Sequence, residues 1–145
     1  MFLVDANVLL YAVNKRSPHH EEARAWLDGM LDGRATVGFS WTVLLAFLRL
    51  STSRSVFPRP LEAAAATSIV RQWLDSPTAV LLEPGARHLD LVAEYLAEIG
   101  TAGNLVTDAH LAALAVEHRA ELVSYDRDFA RFSGVRTSAP SPLSG

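Results

Sequence analysis

Four acidic residues stand where apolar runs end or helices begin. Asp5 closes Phe2-Leu3-Val4, Asp126 lies just past Val123-Ser124, and Glu83 follows Leu81-Leu82. Asp108 sits near the start of a helical stretch with apolar flanks. Carboxylates gathered in one place repel one another and raise each other's pKa. A hard divalent cation relieves that repulsion: Mg²⁺ prefers oxygen ligands, takes one or two carboxylates and keeps several waters. Such an ion can activate water and neutralise charge on a phosphodiester in transit. With no cysteine in the chain, thiolate zinc sites, disulfides and a cysteine nucleophile are excluded. The five histidines show no metal-ligand spacing; His19, His20 and His88 read as solvent-facing and His118 as a residue of a helix C-terminus. Aspartates without a zinc-type ligand set suggest phosphoryl chemistry.

The elements that must position these acids alternate along the chain. Phe2-Leu3-Val4 reads as a short buried strand and residues 7–14 as a first helix. Ser17-Pro18 supplies a cap and a first-turn proline for a second helix, with Glu21 and Glu22 at its dipole-favoured start. Ala23, Trp26, Leu27, Met30 and Leu31 follow at helical spacing, and Gly33 ends the run. Residues 35–39 predict a second strand, and Ser40 or Thr42 can cap the helix carrying Val43, Leu44, Phe47 and Leu48. Residues 51–60 are polar, hold two prolines and read as a loop. Helices are expected over 61–74, 86–99 and 104–118, with strands at 78–82, 121–124 and 135–137. Strands alternating with helices predict an α/β fold with a mostly parallel sheet covered on both faces. In such a sheet ligands bind at the carboxyl ends of the strands. Right-handed crossovers bring helix starts to that same edge, so Asp108 can join Asp5 and Asp126 there.

Composition narrows the class. The 145 residues fit one domain and half are apolar, enough for a sizeable core. The domain is expected over 1–137, and residues 138–145, rich in Pro, Ser and Gly, read as a disordered tail. No apolar run approaches the roughly 18–20 residues of a membrane span, and the N-terminus lacks the basic start of a signal peptide, so a cytoplasmic protein is expected. A net charge of −3 argues against a passive nucleic-acid binder and permits an enzyme with carboxylates in its site.

Each acid also has a simpler reading. An aspartate after a strand serves as a turn former or helix cap. Asp108 in a first turn is favoured by the helix dipole alone, and Asp128 before Phe129 can cap a short helical turn.

The motifs resemble the PIN-domain family, and within it VapC-like toxins of bacterial type II toxin–antitoxin pairs. Val4-Asp5-Ala6-Asn7-Val8-Leu9-Leu10 is similar to the family's opening D-x-N-hydrophobic-hydrophobic stretch. Ser40-Trp41-Thr42-Val43-Leu44-Leu45-Ala46-Phe47-Leu48-Arg49 resembles its third-helix motif. Asn104-Leu105-Val106-Thr107-Asp108-Ala109 resembles the helix that carries the third acid. Ser124-Tyr125-Asp126-Arg127-Asp128-Phe129 resembles the closing T/S-x-D-x-D-F signature. Each motif alone is weak; the ordered set, spanning nearly the whole chain, is fairly specific.

The resemblance implies a three-layer α/β/α sandwich with a parallel sheet of about five strands. It implies an endoribonuclease dependent on Mg²⁺ or Mn²⁺ and acting on structured RNA, a homodimer, and a VapB-like antitoxin whose C-terminal segment reaches the acidic site. By the family pattern Asp5, Asp108 and Asp126 match the metal-binding acids, Asp128 a further acid acting through water, and Asn7 and Ser124 polar positions near the metal. Arg49, Arg127 and Arg131 are candidate phosphate contacts, with surface salt bridging as their simpler reading.

One position departs from the pattern. The glutamate six residues after Ser40 is replaced by Ala46. Metal binding by the remaining aspartates, substitution by Glu83, and a feeble or non-cutting binding module for RNA or antitoxin are the three consequences that follow. Receiver-like and HAD-like phosphotransfer domains also keep aspartates at strand ends, but both need a lysine late in the chain. The only lysine is Lys15, and the third position of the opening motif is Asn7 rather than the aspartate of HAD enzymes.

Overall fold

The computed structural model describes residues 1–100 and 105–141. Five parallel strands form one sheet: β1 (Phe2–Val4), β2 (Val37–Phe39), β3 (Ala79–Leu81), β4 (Glu121–Val123) and β5 (Thr137–Ser138), in the order β3-β2-β1-β4-β5. Among the described residues six α-helices accompany them: α1 (Ala6–Val13), α2 (His20–Gly29), α3 (Trp41–Ser51), α4 (Ala63–Leu74), α5 (His88–Ile99) and α6 (Leu105–Glu117). From β1 the chain steps outward through β2 to β3, then returns to place β4 on the other side of β1. With right-handed crossovers, α1 to α4 cover one face and α5 and α6 the other. The winding direction reverses between β1 and β4, whose carboxyl ends carry Asp5 and Ser124-Tyr125-Asp126. That switch point is where open α/β sheets form their ligand crevice.

Leu3, Val4, Val37, Phe39, Leu122 and Val123 are fully buried, as strands covered on both faces require. Phe39 stacks on Trp73 with centroids 6.3 Å apart, and Trp73 also meets Phe47 at 4.9 Å, which ties β2 to α3 and α4. Gly38 is needed in β2 for closeness: a Cβ there would lie 2.5 Å from Leu82 Cδ1.

Several boundaries differ from those expected. Helix α2 begins at His20 rather than at Ser17-Pro18, and its N-cap His19 makes no side-chain cap bond. Ser17 Oγ instead accepts from His19 N at 3.1 Å, holding the turn before the helix. Its last turn widens into a π-helical segment, Met30–Arg34, and Gly33 ends the run at φ 118°. Helix α3 continues to Ser51, and α4 starts at Ala63 instead of 61. Ser40, not Thr42, caps α3, accepting from Val43 N at 3.1 Å. Asn104, the expected start of α6, and residues 142–145 of the expected tail lie outside the described residues. The part of that tail that is described belongs to the fold: Ser138 pairs with Val123 in β5, its hydroxyl donates to Glu121 at 3.0 Å, and Pro140 is buried.

Two histidines expected to face solvent are instead bonded into the structure. His20 Nδ1 meets the Tyr11 carbonyl at 2.9 Å. His88 bonds Glu117 through Nδ1 and His110 through Nε2, the latter at 2.8 Å, and His110 Nε2 reaches Thr42 Oγ1 at 3.1 Å. Glu117 also accepts from Gly85 N at 2.8 Å. The Glu117 carboxyl thus holds both Gly85 and one end of a relay running through His88 and His110 to Thr42, its direction following the tautomers of the two rings. Burial lowers the His110 pKa most and the nearby His88 lowers it further, against a smaller rise from Glu117. The relay fastens α5 and the start of α3 to α6, the helix that carries Asp108. Sequence spacing gave no sign of it, because Thr42, His88 and the His110–Glu117 pair of α6 are distant from one another in the chain.

Candidate active site

The carboxyl ends of β1 and β4 are joined by side chains. Asp5 N donates to the Val123 carbonyl at 3.0 Å. Ser124 Oγ donates to Asp5 Oδ2 at 2.7 Å, and accepts from Asn7 Nδ2 at 3.1 Å and Asp126 N at 2.9 Å. Asn7 Oδ1 accepts from Tyr125 N at 3.2 Å. Ser124 is 4 % exposed, so its position is fixed by these bonds rather than by water. Asp5 and Asp126 are also local caps: Asp5 Oδ1 accepts from Ala6 N at 2.7 Å, and Asp126 Oδ1 accepts from Asp128 N at 2.9 Å. The cap of the 3₁₀ turn Arg127–Arg131 is therefore Asp126, and Asp128 lies inside that turn. Capping and gathering are compatible, since a carboxylate has lone pairs for both.

Electrostatics bring Asp108 into the same group. Burial raises its pKa most, and Asp126, Asp5 and Asp128 raise it further, while Arg131 lowers it. The Asp5 pKa is also raised, chiefly by burial and in smaller part by Asp126, against the lowering bonds from Ser124 and Ala6. The charges of Asp5, Asp126 and Asp128 thus reach Asp108, and that of Asp126 reaches Asp5, so three distant stretches of chain meet at this edge of the sheet. Glu83 is not among these charges. It follows β3 at the sheet edge, is exposed, and its carbonyl accepts from His118 Nε2 at 2.8 Å, so it does not stand in for the carboxylate missing at Ala46. Ala46 is half-buried on α3. Arg49, Arg127 and Arg131 are exposed, and none forms an ion pair among the described residues. Arg131 Nε donates to the Asp128 carbonyl at 3.1 Å.

Among the described residues no three acidic or histidine side chains are gathered tightly enough to hold an ion by protein ligands alone. The donor set fits a hard cation that keeps its waters. It is all oxygen and acidic, and burial, helped by the neighbouring carboxylates, raises the pKa values of Asp5 and Asp108, a cost to the charged forms that a cation would relieve.

A doubly wound sheet with carboxylates at its switch point defines an α/β domain suited to phosphoryl chemistry, and residues 2–135 match the PIN domain. The chain belongs to the PIN-domain family, in its VapC-like branch. It is 58 % identical over 143 residues to ribonuclease VapC37 of Mycobacterium tuberculosis, covering 99 % of each chain. It is 42 % identical to ribonuclease VapC33 of the same species, covering 97 % of this chain and 98 % of the relative. Among solved structures, VapBC2 of Rickettsia felis bound to promoter DNA superposes with a TM-score of 0.68 at 19 % identity, covering 97 % of this chain and 98 % of that one. The sarcin-ricin-loop-cleaving toxin VapC20 of M. tuberculosis superposes with a TM-score of 0.65 at 20 % identity, over 94 % and 99 % of the two chains. These superpositions bear on the fold, and the expected parallel α/β/α sandwich is the one observed.

Proposed function

We propose that this protein is a divalent-metal-dependent endoribonuclease, the toxin of a type II toxin–antitoxin pair, which hydrolyses phosphodiester bonds in structured RNA. The observation that carries this reading is the seam at the switch point of the sheet, where Ser124 bonds both Asp5 and Asp126 and Asp108 lies near enough for their charges to raise its pKa. Full-length likeness to proteins named ribonucleases supports it and weighs against a module that binds without cutting.

Asp5, Asp108 and Asp126 would hold Mg²⁺ or Mn²⁺, which when bound lowers the pKa of water and neutralises charge on the phosphodiester. Ser124 fixes the rotamer of Asp5, and Asn7 fixes Ser124. Asp128 acts on the reacting centre through water, and Arg49, Arg127 and Arg131 contact phosphates. The water oxygen bonds to phosphorus as the bond to the leaving ribose oxygen breaks. No helix among the described residues is long and apolar enough to cross a membrane. A VapB-like antitoxin is the partner, as in the VapBC assemblies the fold resembles. A homodimer is supported by exposed apolar side chains at Trp41, Leu45, Leu89 and Val106.

The test is incubation of the purified protein with a structured RNA in Mg²⁺ or Mn²⁺. Cleavage is expected, with a loss on the order of 10²–10³-fold in Asp5→Ala and Asp108→Asn, the scale of removing one preorganised electrostatic group. Equal cleavage by wild type and Asp5→Ala, or RNA held equally well in EDTA and left intact with metal, overturns the proposal.

A further inference from the structure

Beside the acidic crevice lies a cavity of about 470 Å³, bounded by His19, Ser124, Tyr125, Asp126, Arg127 and the end of β5. That volume falls in the range of small-molecule pockets, roughly 300–1,000 Å³. On its wall the ring of His19 lies against Tyr125, with centroids 4.4 Å apart and planes 32° from parallel. Tyr11 backs both rings, at 5.3 Å from His19 and 5.2 Å from Tyr125.

This group is held in place from behind. The Tyr125 hydroxyl donates to Glu22 Oε1 at 2.9 Å, and Tyr125 N donates to Asn7. The His19 backbone is fixed at both ends, its N–H by Ser17 Oγ and its carbonyl by Ala23 N at 2.9 Å. The His19 side chain is exposed and has no hydrogen-bond partner among the described residues. An exposed, preorganised π-face stacked on a tyrosine is therefore open at the edge of the crevice. Arg127, exposed in the same cavity, supplies a cation with no carboxylate partner among the described residues. Proteins hold unpaired bases by stacking them on aromatic side chains beside positive charge that meets the backbone.

We propose that His19, stacked on Tyr125, is the platform for an unpaired nucleobase next to the scissile phosphate, with Arg127 meeting an adjoining phosphate. Recognition is by the base's π-face, so it selects a base splayed out of a loop over one stacked in a helix, and tolerates several base identities. The proposal rests on the nuclease reading for what lies next to the platform, but its test reads binding and not cleavage.

The probe is an RNA stem-loop carrying 2-aminopurine at one loop position, scanned through the loop, with the Asp5→Asn chain in Mg²⁺. At one position binding is expected to quench the fluorescence. Adding His19→Ala weakens affinity roughly tenfold and relieves the quenching, whereas His19→Phe restores both. With an abasic nucleotide at that position, the chains with and without His19→Ala bind alike. Unchanged affinity and quenching on loss of His19, or an equal loss on the abasic RNA, overturns the platform. Cleavage by the Asp5→Asn chain would instead refute the catalytic role of Asp5 and leave the binding result to stand by itself.

Discussion

Ser124 Oγ donates to Asp5 Oδ2 at 2.7 Å, joining residues 119 positions apart. That bond closes the seam between β1 and β4 and sets the orientation of the most buried carboxylate of the site. Ser124→Ala is expected to weaken apparent metal affinity by roughly ten- to a hundredfold, the usual effect of losing a partner behind a ligand. Ser124→Thr, which keeps the hydroxyl, restores it. Titration of cleavage against Mn²⁺, with the melting temperature followed in parallel, separates this from general unfolding. An unchanged Mn²⁺ midpoint in Ser124→Ala would refute the positioning role.

The raised pKa values of Asp5 and Asp108 predict opposite pH trends for activity and for metal-free stability. In the metal-free chain both carboxyls take up protons earlier than ordinary aspartates at 3.8, so as pH falls protons compete with the ion and cleavage at sub-saturating metal declines along an acid limb. Arg131 lowers the Asp108 pKa, so Arg131→Ala moves this limb to higher pH. For stability, the folded chain binds more protons than the unfolded one between 3.8 and the raised values. The favourable contribution is therefore complete below 3.8 and is lost as pH rises through the folded-state pKa values. In EDTA the melting temperature of wild type should fall relative to an Asp5→Asn, Asp108→Asn double variant as pH rises from about 4 to about 7. Parallel melting curves for the two across that range would contradict the electrostatic picture.

Glu117 anchors the relay that fastens α5 to α6. A glutamine there loses the charge that both donors meet, and with its carbonyl on Gly85 N–H it must turn its NH₂ to His88 Nδ1, forcing that ring into the tautomer that accepts there. Glu117→Gln is expected to cost about 1–3 kcal/mol, with hydrogen exchange accelerated in α5 and in the last turns of α6. Intact protection of α5 amides would show that apolar packing through Leu91 and Tyr95 holds the helix without the relay.

Order, type and approximate span of the elements were legible from the chain. Apolar triplets such as Phe2-Leu3-Val4 have no choice but burial on both faces, and stripes such as Ala66, Val70 and Trp73 carry helical period in the sequence itself. The simpler roles of Asp5 and Asp126 as caps were legible too, because capping acts within one to three residues. Meeting places were not. Which strand neighbours β1, that Glu83 is stranded at the sheet edge, and that His88 faces Glu117 and His110 depend on crossovers between residues far apart in the chain. The same holds for His19, a polar residue before a helix until Tyr125 is folded against it. Sequence alone set which acids end which elements, because that follows from local burial and period. Tertiary structure decided which of them share a field, because charge interaction falls with distance through space and takes no account of distance along the chain.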